Sequence, residues 1–335
     1  MAGIVFATNS GEIDDLWKVT DQVIRAYLQD TDNEKNDDDG LVNKLYNVEK
    51  SDKFAEKLSS VTEMGNFEIV DEGDAGVQDE IKQGFNKLIE HIQFMKGFTC
   101  TAKAREDSQV DVMKMKAANF LRAYKRTRAQ FASDMLCSEG STITFGGKVL
   151  DRTTGDGKAL FAQDHPFAVG SGVQSNVFTN SFGTDVSMLI KLANIGRNFK
   201  NSSGNVMGYN FDTIIIPSNT PALEETVSRV IGSDLVVGSD FNDINTQKGK
   251  FKLVVNHRWQ VTDNSEPYIL VSSEANKELQ AGKFYDRVPL TIDEWKDHKT
   301  QNLEWMGRAR FSAGFNNWQA YIMGGAKSGT TIQTT

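Results

Sequence analysis

Asp164 and His165 stand side by side in KALFAQDHPF, residues 158–167, and an acid next to an imidazole is the raw material of general acid–base chemistry at neutral pH. Two requirements of that chemistry fail in the sequence. Adjacent residues rarely present both side chains to one substrate, and no Gly-x-Ser-x-Gly elbow supplies a nucleophile. Pro166 forces extended or turn geometry on the residue before it, so His165 reads as a turn-fixing residue. Just upstream, TTGDGKAL imitates a phosphate loop through Gly157 and Lys158. Ala159 stands where the magnesium-binding hydroxyl belongs and Arg152 where the first glycine belongs, so the cradle is missing.

Metal chemistry finds no better footing. His91, His165, His257 and His298 are scattered, without an i, i+4 pair or an HExxH frame. Cys100 and Cys137 have no Cys or His at ligand spacing, which points away from zinc and from a disulfide framework and toward a reducing compartment. The acidic run DTDNEKNDDDG, residues 30–40, lacks the central Gly and terminal Glu of a calcium loop and reads as a flexible, solvated turn. Trp17, Trp259, Trp295, Trp305 and Trp318 are spread out, as core or interface anchors are. No catalytic residue, cofactor or metal is expected.

The chain has 335 residues, enough for one elaborated domain or two modest ones. A net charge of -8 and a pI near 5.2 argue against a protein whose main task is neutralising phosphates, though a local basic face is compatible with them. The opening MAGIVFATNS is too short and polar for a signal peptide, and no apolar run approaches a membrane span. A soluble protein made in the cytoplasm is expected.

The elements that must carry these residues follow from periodicity. Ile13, Leu16, Trp17, Val19, Val23, Ile24, Tyr27 and Leu28 mark an amphipathic N-terminal helix ahead of the acidic turn. From Ser51 to Lys82 the pattern suggests a projecting hairpin with turn points at Gly65, Gly73 and Gly76. Between Val61 and Ile81 it holds seven acids (Glu63, Glu68, Asp71, Glu72, Asp74, Asp79, Glu80) and no Lys or Arg. That stretch is either a solvated loop or an arm completed by a neighbouring subunit. FNKLIEHIQFMKGFTCT, residues 85–101, reads as strand with a bend at Gly97.

The period then turns helical. Val110, Met113, Ala117, Phe120, Leu121, Tyr124, Phe131 and Met135 give one apolar face along residues 107–137, capped by Asp107 or Ser108 and closed by Gly140. Lys114, Lys116, Arg122, Lys125, Arg126 and Arg128 are read as the opposite, basic face. It meets water, nucleic acid, or a neighbour's acidic hairpin. Further on come a helix near 184–199, the buried strand FDTIII, a helix capped by Asn219 or Thr220, and strands at 251–261, 268–272, 284–288 and 303–323. The class is α+β.

In this order the elements resemble the major capsid proteins of tailed bacteriophages, and specifically the Mu-type major head subunit. In that pattern Leu-Phe (Leu160, Phe161) a few residues before His-Pro (His165, Pro166) follows the long helix, with Asn176 and Asn180 downstream. IIIPSNTPALEETV, LVVNHRW and LEWMGRARFSAGFNNWQAYIMGG fit the later strands and helix of that family. The resemblance implies the Hong Kong 97-like fold and a division into an N-terminal arm (1–50), an extended hairpin (51–82), a peripheral domain (83–182) with its spine helix 107–137, an axial domain (183–285) and a return to the peripheral domain with the C-terminal tail (286–335). It further implies self-assembly into pentamers and hexamers, an icosahedral head enclosing double-stranded DNA, and assembly in the host bacterial cytoplasm.

The implied partners are copies of the chain itself, a separate scaffolding protein, a portal protein, cement or decoration proteins, and DNA held by weak non-specific contact, with no membrane. Trp17 and Tyr27 are then interface anchors, Asp71, Glu72 and Asp74 arm-tip contacts, and the basic helix face the inward surface. Some relatives join the hairpin to a neighbour by a Lys–Asn isopeptide bond; with no Lys at this tip, none is expected. The competing readings are an encapsulin-like shell that packs protein cargo, and an intracellular hydrolase built on Asp164 and His165.

Overall fold

The apolar steps of three and four residues along the middle of the chain form a single α-helix, Val110–Cys137, 28 residues long and therefore about 42 Å from end to end. The computed structural model describes residues 37–332 apart from 63, 68, 73, 74, 76, 77, 79–82, 107–109, 168–171, 184, 185, 202, 237–242 and 264, and describes only the backbone at 37, 39, 105, 106 and 110–114. The N-terminal helix with Trp17 and Tyr27, the capping pair Asp107 and Ser108, and Asp74 thus lie outside the described residues.

In chain order the elements are α1 (Asp37–Leu45), β1 (Asn47–Lys50), β2 (Ala55–Val61), β3 (Gln83–Glu90), β4 (Ile92–Cys100), α2 (Ala102–Glu106), α3 (Val110–Cys137), β5 (Thr142–Phe145), β6 (Lys148–Asp151), β7 (His165–Pro166), β8 (Val173–Gln174), α4 (Ser187–Arg197), β9 (Thr213–Pro217), α5 (Pro221–Gly232), β10 (Lys252–Asn256), β11 (Tyr268–Val271), α6 (Ser273–Glu278), β12 (Gly282–Lys296), β13 (Leu303–Phe315) and β14 (Tyr321–Gly324). They fall into two compact units. Of the described residues, the first holds 37–40, 93–127 and 288–309, and the second the rest.

The first unit is built on the strand order β12–β13–β4. Its core is Cys100, Ala117, Phe120, Leu121 and Trp305, with Phe98, Leu290, Ile292 and Leu303 packed on it. Phe98 stacks on Trp305 at 5.0 Å between ring centroids. A side chain at Gly97 would press on the Trp305 carbonyl, so this glycine serves close strand approach.

In the second unit, β10–β9–β11–β14 form one sheet, with β9 and β10 parallel and the other pairs antiparallel. Ile214, Ile215 and Ile216 are all fully buried, which is why this strand shows an unbroken apolar run instead of alternation. Tyr321–Gly324 pairs with Tyr268–Val271. The C-terminal strand therefore closes the sheet of the 183–285 region instead of continuing β13, and residues 303–323 form two strands, not one. A second core of the same unit gathers Tyr46, Phe131, Phe145, Phe284, Phe311 and Phe315 around the last turns of α3.

Several local expectations are corrected. The last three aspartates of the acidic run open α1, where negative charge at a helix N-terminus is favourable, and Leu41, Val42 and Leu45 bury the helix. The hairpin is β2 paired with β3, Ala55 opposite Glu90, so its return strand runs to residue 90 and not to 82. Neither Asn219 nor Thr220 caps α5 with its side chain. The Asn219 amide is used instead on both the N–H and the carbonyl of Val261.

Candidate functional site

The turn-rich stretch between β6 and β7 is organised by two fully buried side chains, Arg152 and His165. Arg152, 1% exposed, donates from Nε to the Met135 carbonyl at 2.7 Å, from Nη1 to Gly140 at 2.6 Å and from Nη2 to Leu136 at 3.3 Å. The last turn of α3 has no basic residue of its own. Arg152 therefore supplies both the donors and the positive charge that a helix C-terminus calls for. Burial pulls its pKa down to about 10, against opposing pull from Tyr46, Cys137, Asp134 and Glu139, which leaves it charged at neutral pH.

His165 is the other. Its ring is 0% exposed, stacks on Trp318 at 4.4 Å and places Nδ1 2.6 Å from Asp156 Oδ2. The acid that pairs with it is thus Asp156, nine residues away, and not its exposed neighbour Asp164, which bonds the half-buried Lys158. Burial pushes the Asp156 carboxyl up, but the bonds from His165, Thr154 and the Lys158 N–H outweigh that and hold it below the usual range. Nε2 of His165 meets no hydrogen-bond partner among the described residues. A hydrolytic dyad needs a nucleophile and a substrate at that atom, and the buried ring offers neither. The pair works as a strut between the 154–165 turn and the Trp318 loop. Both cysteines are buried and neither forms a disulfide, and burial raises the Cys137 thiol to about 12, far from nucleophilic. No group of three or more His, Cys, Asp or Glu among the described residues could hold a metal. No helix among them is long and apolar enough to cross a membrane.

The six basic residues of α3 do not form one face. Lys116, Arg122 and Arg126 are exposed. Lys125 is 3% exposed. Arg128 pairs with Asp286 at 2.5 Å and lies over the Phe284 ring at 5.0 Å. Helical geometry explains the split: residues 125 and 128 are four and seven positions after the buried Leu121, and so return to its face. The side chain of Lys114 lies outside the described residues.

At the hairpin, Asp71 and Glu72 are exposed as expected. Between the acids the structure adds an apolar feature: Phe67 and Ile69 are fully in solvent, at 105% and 101%, with Met64 at 58%. Charge dominated the reading of this segment, and the signal available for the apolar strip was the pair of large residues two apart in NFEIV.

Asn176 is fully buried; its amide donates to the carbonyls of Leu160 and Tyr321 and accepts from the Ala162 N–H. Asn180 clamps the backbone of Ile332 at both its N–H and its carbonyl. These two residues tie the KALFAQDHPF segment and the C-terminal tail to the sheet edge at β14.

No protein-family model and no curated protein matches this sequence. Solved structures do match in fold. A chain of Mycobacterium phage Patience is similar over 97% of this chain and 91% of its own, with a TM-score of 0.54 at 12% identity. The capsid of a native GTA particle is similar over 85% and 89%, with a TM-score of 0.55 at 9% identity. The capsid of Myoviridae phage XM1 is similar over 84% and 90%, with a TM-score of 0.52 at 9% identity. The α+β architecture of this chain is therefore the Hong Kong 97-like fold of tailed-phage capsid subunits.

Proposed function

We propose that this chain is the major capsid protein of a tailed phage, a shell subunit that assembles into pentamers and hexamers around double-stranded DNA. The observation that carries this reading is the match of nearly the whole chain, 97%, to a phage structure and of 85% to a particle capsid solved with C5 symmetry. Supporting it, His165, the imidazole that invited catalysis, is sealed in the interior against Asp156, away from its exposed neighbour Asp164, and the hairpin holds large apolar side chains out in solvent.

In this role the work is geometric. Phe67 and Ile69 bury against a neighbouring copy, while Asp71, Glu72 and Asp74 pair with its basic residues. Trp17 and Tyr27 anchor the N-terminal arm. Many weak contacts sum through repetition in a closed shell. Lys114, Lys116, Arg122 and Arg126 form the inward basic surface that meets DNA non-specifically; Lys125 and Arg128 leave that set because they serve the subunit interior. A separate scaffolding protein, a portal and cement proteins complete the partner list, and the virion capsid is the location.

The test is the size and shape of the purified full-length chain, expressed alone and with its neighbouring genes, by electron microscopy and sedimentation. Rings or megadalton closed particles are expected. Double reversal of Asp71→Lys and Glu72→Lys should weaken assembly and flatten its salt dependence, since the contacts it removes are screened ion pairs. A chain that stays a monomer or a small closed oligomer under all these conditions would overturn the reading.

A further inference from the structure

His91 is the single residue between β3, the return strand of the hairpin, and β4. Its ring is 9% exposed and is gripped at both nitrogens: Nε2 lies 2.9 Å from Ser51 Oγ and Nδ1 lies 2.9 Å from Ser312 Oγ. Ser51 is 3% and Ser312 1% exposed. Ser51 Oγ lies in turn 2.7 Å from Glu56 Oε1, at the start of the hairpin's outgoing strand β2. Four side chains from four segments thus form one continuous chain at the hairpin root.

The direction of the hydrogen bonds in this chain is fixed. The Glu56 carboxylate only accepts, and the bond from Ser51, with help from Lys53, holds its pKa below the usual range. The one hydroxyl proton of Ser51 therefore goes to Glu56, and Ser51 Oγ also accepts the Lys53 N–H at 3.3 Å. Nε2 of His91 must then be the donor to Ser51, which leaves Nδ1 as the acceptor of the Ser312 O–H. Every polar atom is satisfied when the imidazole is neutral. A second proton on the ring would set an N–H against the Ser312 hydroxyl and force that hydroxyl to find another acceptor in a site closed to water.

The surrounding charges act in the same sense. Arg310 of β13 and Arg287 of β12 oppose a positive ring, Glu56 of β2 favours one, and Tyr285 of β12 meets the ring edge-on at 6.2 Å. Burial first, then these two arginines, lower the His91 pKa. A histidine with a depressed folded-state pKa contributes its full stabilisation above the ordinary value and loses it as pH falls through the folded one.

We propose that Ser312–His91–Ser51–Glu56 is a latch that fixes the root of the hairpin on the second unit, and that protonation of His91 opens it. The middle of β3 keeps its own attachment, Lys87 to Asp151 at 2.5 Å and to Thr153 at 2.7 Å, so opening loosens the hairpin at its root without detaching it. The surface that carries Phe67, Ile69 and the acidic tip would then be presented in a proton-dependent way.

Hydrogen exchange on the full-length chain at pH 7.5 and pH 5.0, corrected for intrinsic rates, tests this. Amides in 51–61 and 83–91 should exchange about fivefold faster at the lower pH, while 213–217 in the buried sheet should not change. His91→Gln can still donate to Ser51 and accept from Ser312 but cannot be protonated, so it should abolish the response. Equal corrected rates at the two pH values, or an undiminished response in His91→Gln, would overturn the proposal. Should that variant fail to fold, Ser312→Ala removes the hydroxyl that the Nδ1 lone pair accepts. The acid midpoint should then move to higher pH, and an unmoved midpoint would equally refute the latch.

Discussion

Removing the guanidinium of Arg152 should destabilise the chain more than any loss of an exposed charge. Arg152→Ala strips two carbonyls in the last turn of α3, and that of Gly140 just past it, of this donor in a site that is 1% exposed. Charge-assisted bonds of this kind contribute roughly 1.5–3 kcal/mol each. The contact to Leu136, at 3.3 Å, is long and counts for little. Two good bonds give about 3–6 kcal/mol, from which the cost of burying the charge must be subtracted. That cost is real, since burial draws the pKa down to about 10 even against the opposing pull of Tyr46, Cys137, Asp134 and Glu139. The net loss is about 3 kcal/mol, in line with breaking other buried charged contacts, and a large part of a total stability of about 5–15 kcal/mol. Arg152→Met keeps most of the volume and sheds the buried charge, so it should fall between the alanine variant and the parent. Denaturant unfolding of unassembled full-length chain, followed by tryptophan fluorescence, measures both. Hydrogen exchange should localise the damage to residues 135–152. A loss below about 0.5 kcal/mol for Arg152→Ala, the level of an ordinary surface substitution, would refute the idea that this side chain completes the long helix.

Two neighbours on α3 separate structural from surface charge. Arg128→Ala gives up the Asp286 ion pair and the Phe284 ring contact and should cost about 1–3 kcal/mol, whereas exposed Arg126→Ala should stay within about 0.5 kcal/mol in the same unfolding assay. Asp156→Asn should lower stability by about 1–3 kcal/mol at neutral pH, because the carboxylate takes bonds from His165, Thr154 and the Lys158 N–H. Its folded pKa is depressed, so the stabilisation it brings is present above about pH 4, the unfolded carboxyl range, and fades as pH falls through the folded value. The deficit of the variant should shrink accordingly in unfolding curves taken from pH 7 downward; a deficit independent of pH would assign the loss to packing and not to the carboxylate.

Much of the fold was written in local pattern. The 3.6-residue period of Val110–Met135 needs no partner to be legible, and the unbroken Ile214–Ile216 run announces a strand covered on both faces. The element order was enough to suggest the capsid fold that the structural matches then showed. The same sequence also disposed of metal and phosphate motifs, because those chemistries demand fixed residues at fixed spacing.

What remained hidden depends on long-range proximity. Asp164 is next to His165 in the chain, yet Asp156 is its partner, because β7 directs the imidazole back toward the 154–158 turn and onto Trp318, far away in sequence. Arg152 looked like a broken phosphate loop and is instead the C-terminal partner of a helix that ended 15 residues earlier. Lys125 and Arg128 counted as charge on a solvent face, and only the rotation of the helix on its core decided that both turn inward. His91 gave no signal at all, since its meaning lies in two serines at positions 51 and 312. By itself, the sequence determined the periodic elements, their order and the absence of motif chemistry, because those are properties of neighbouring residues. Only the tertiary structure decided which charged and polar groups meet, since burial forces each of them to find a partner wherever the fold brings one within about 3 Å.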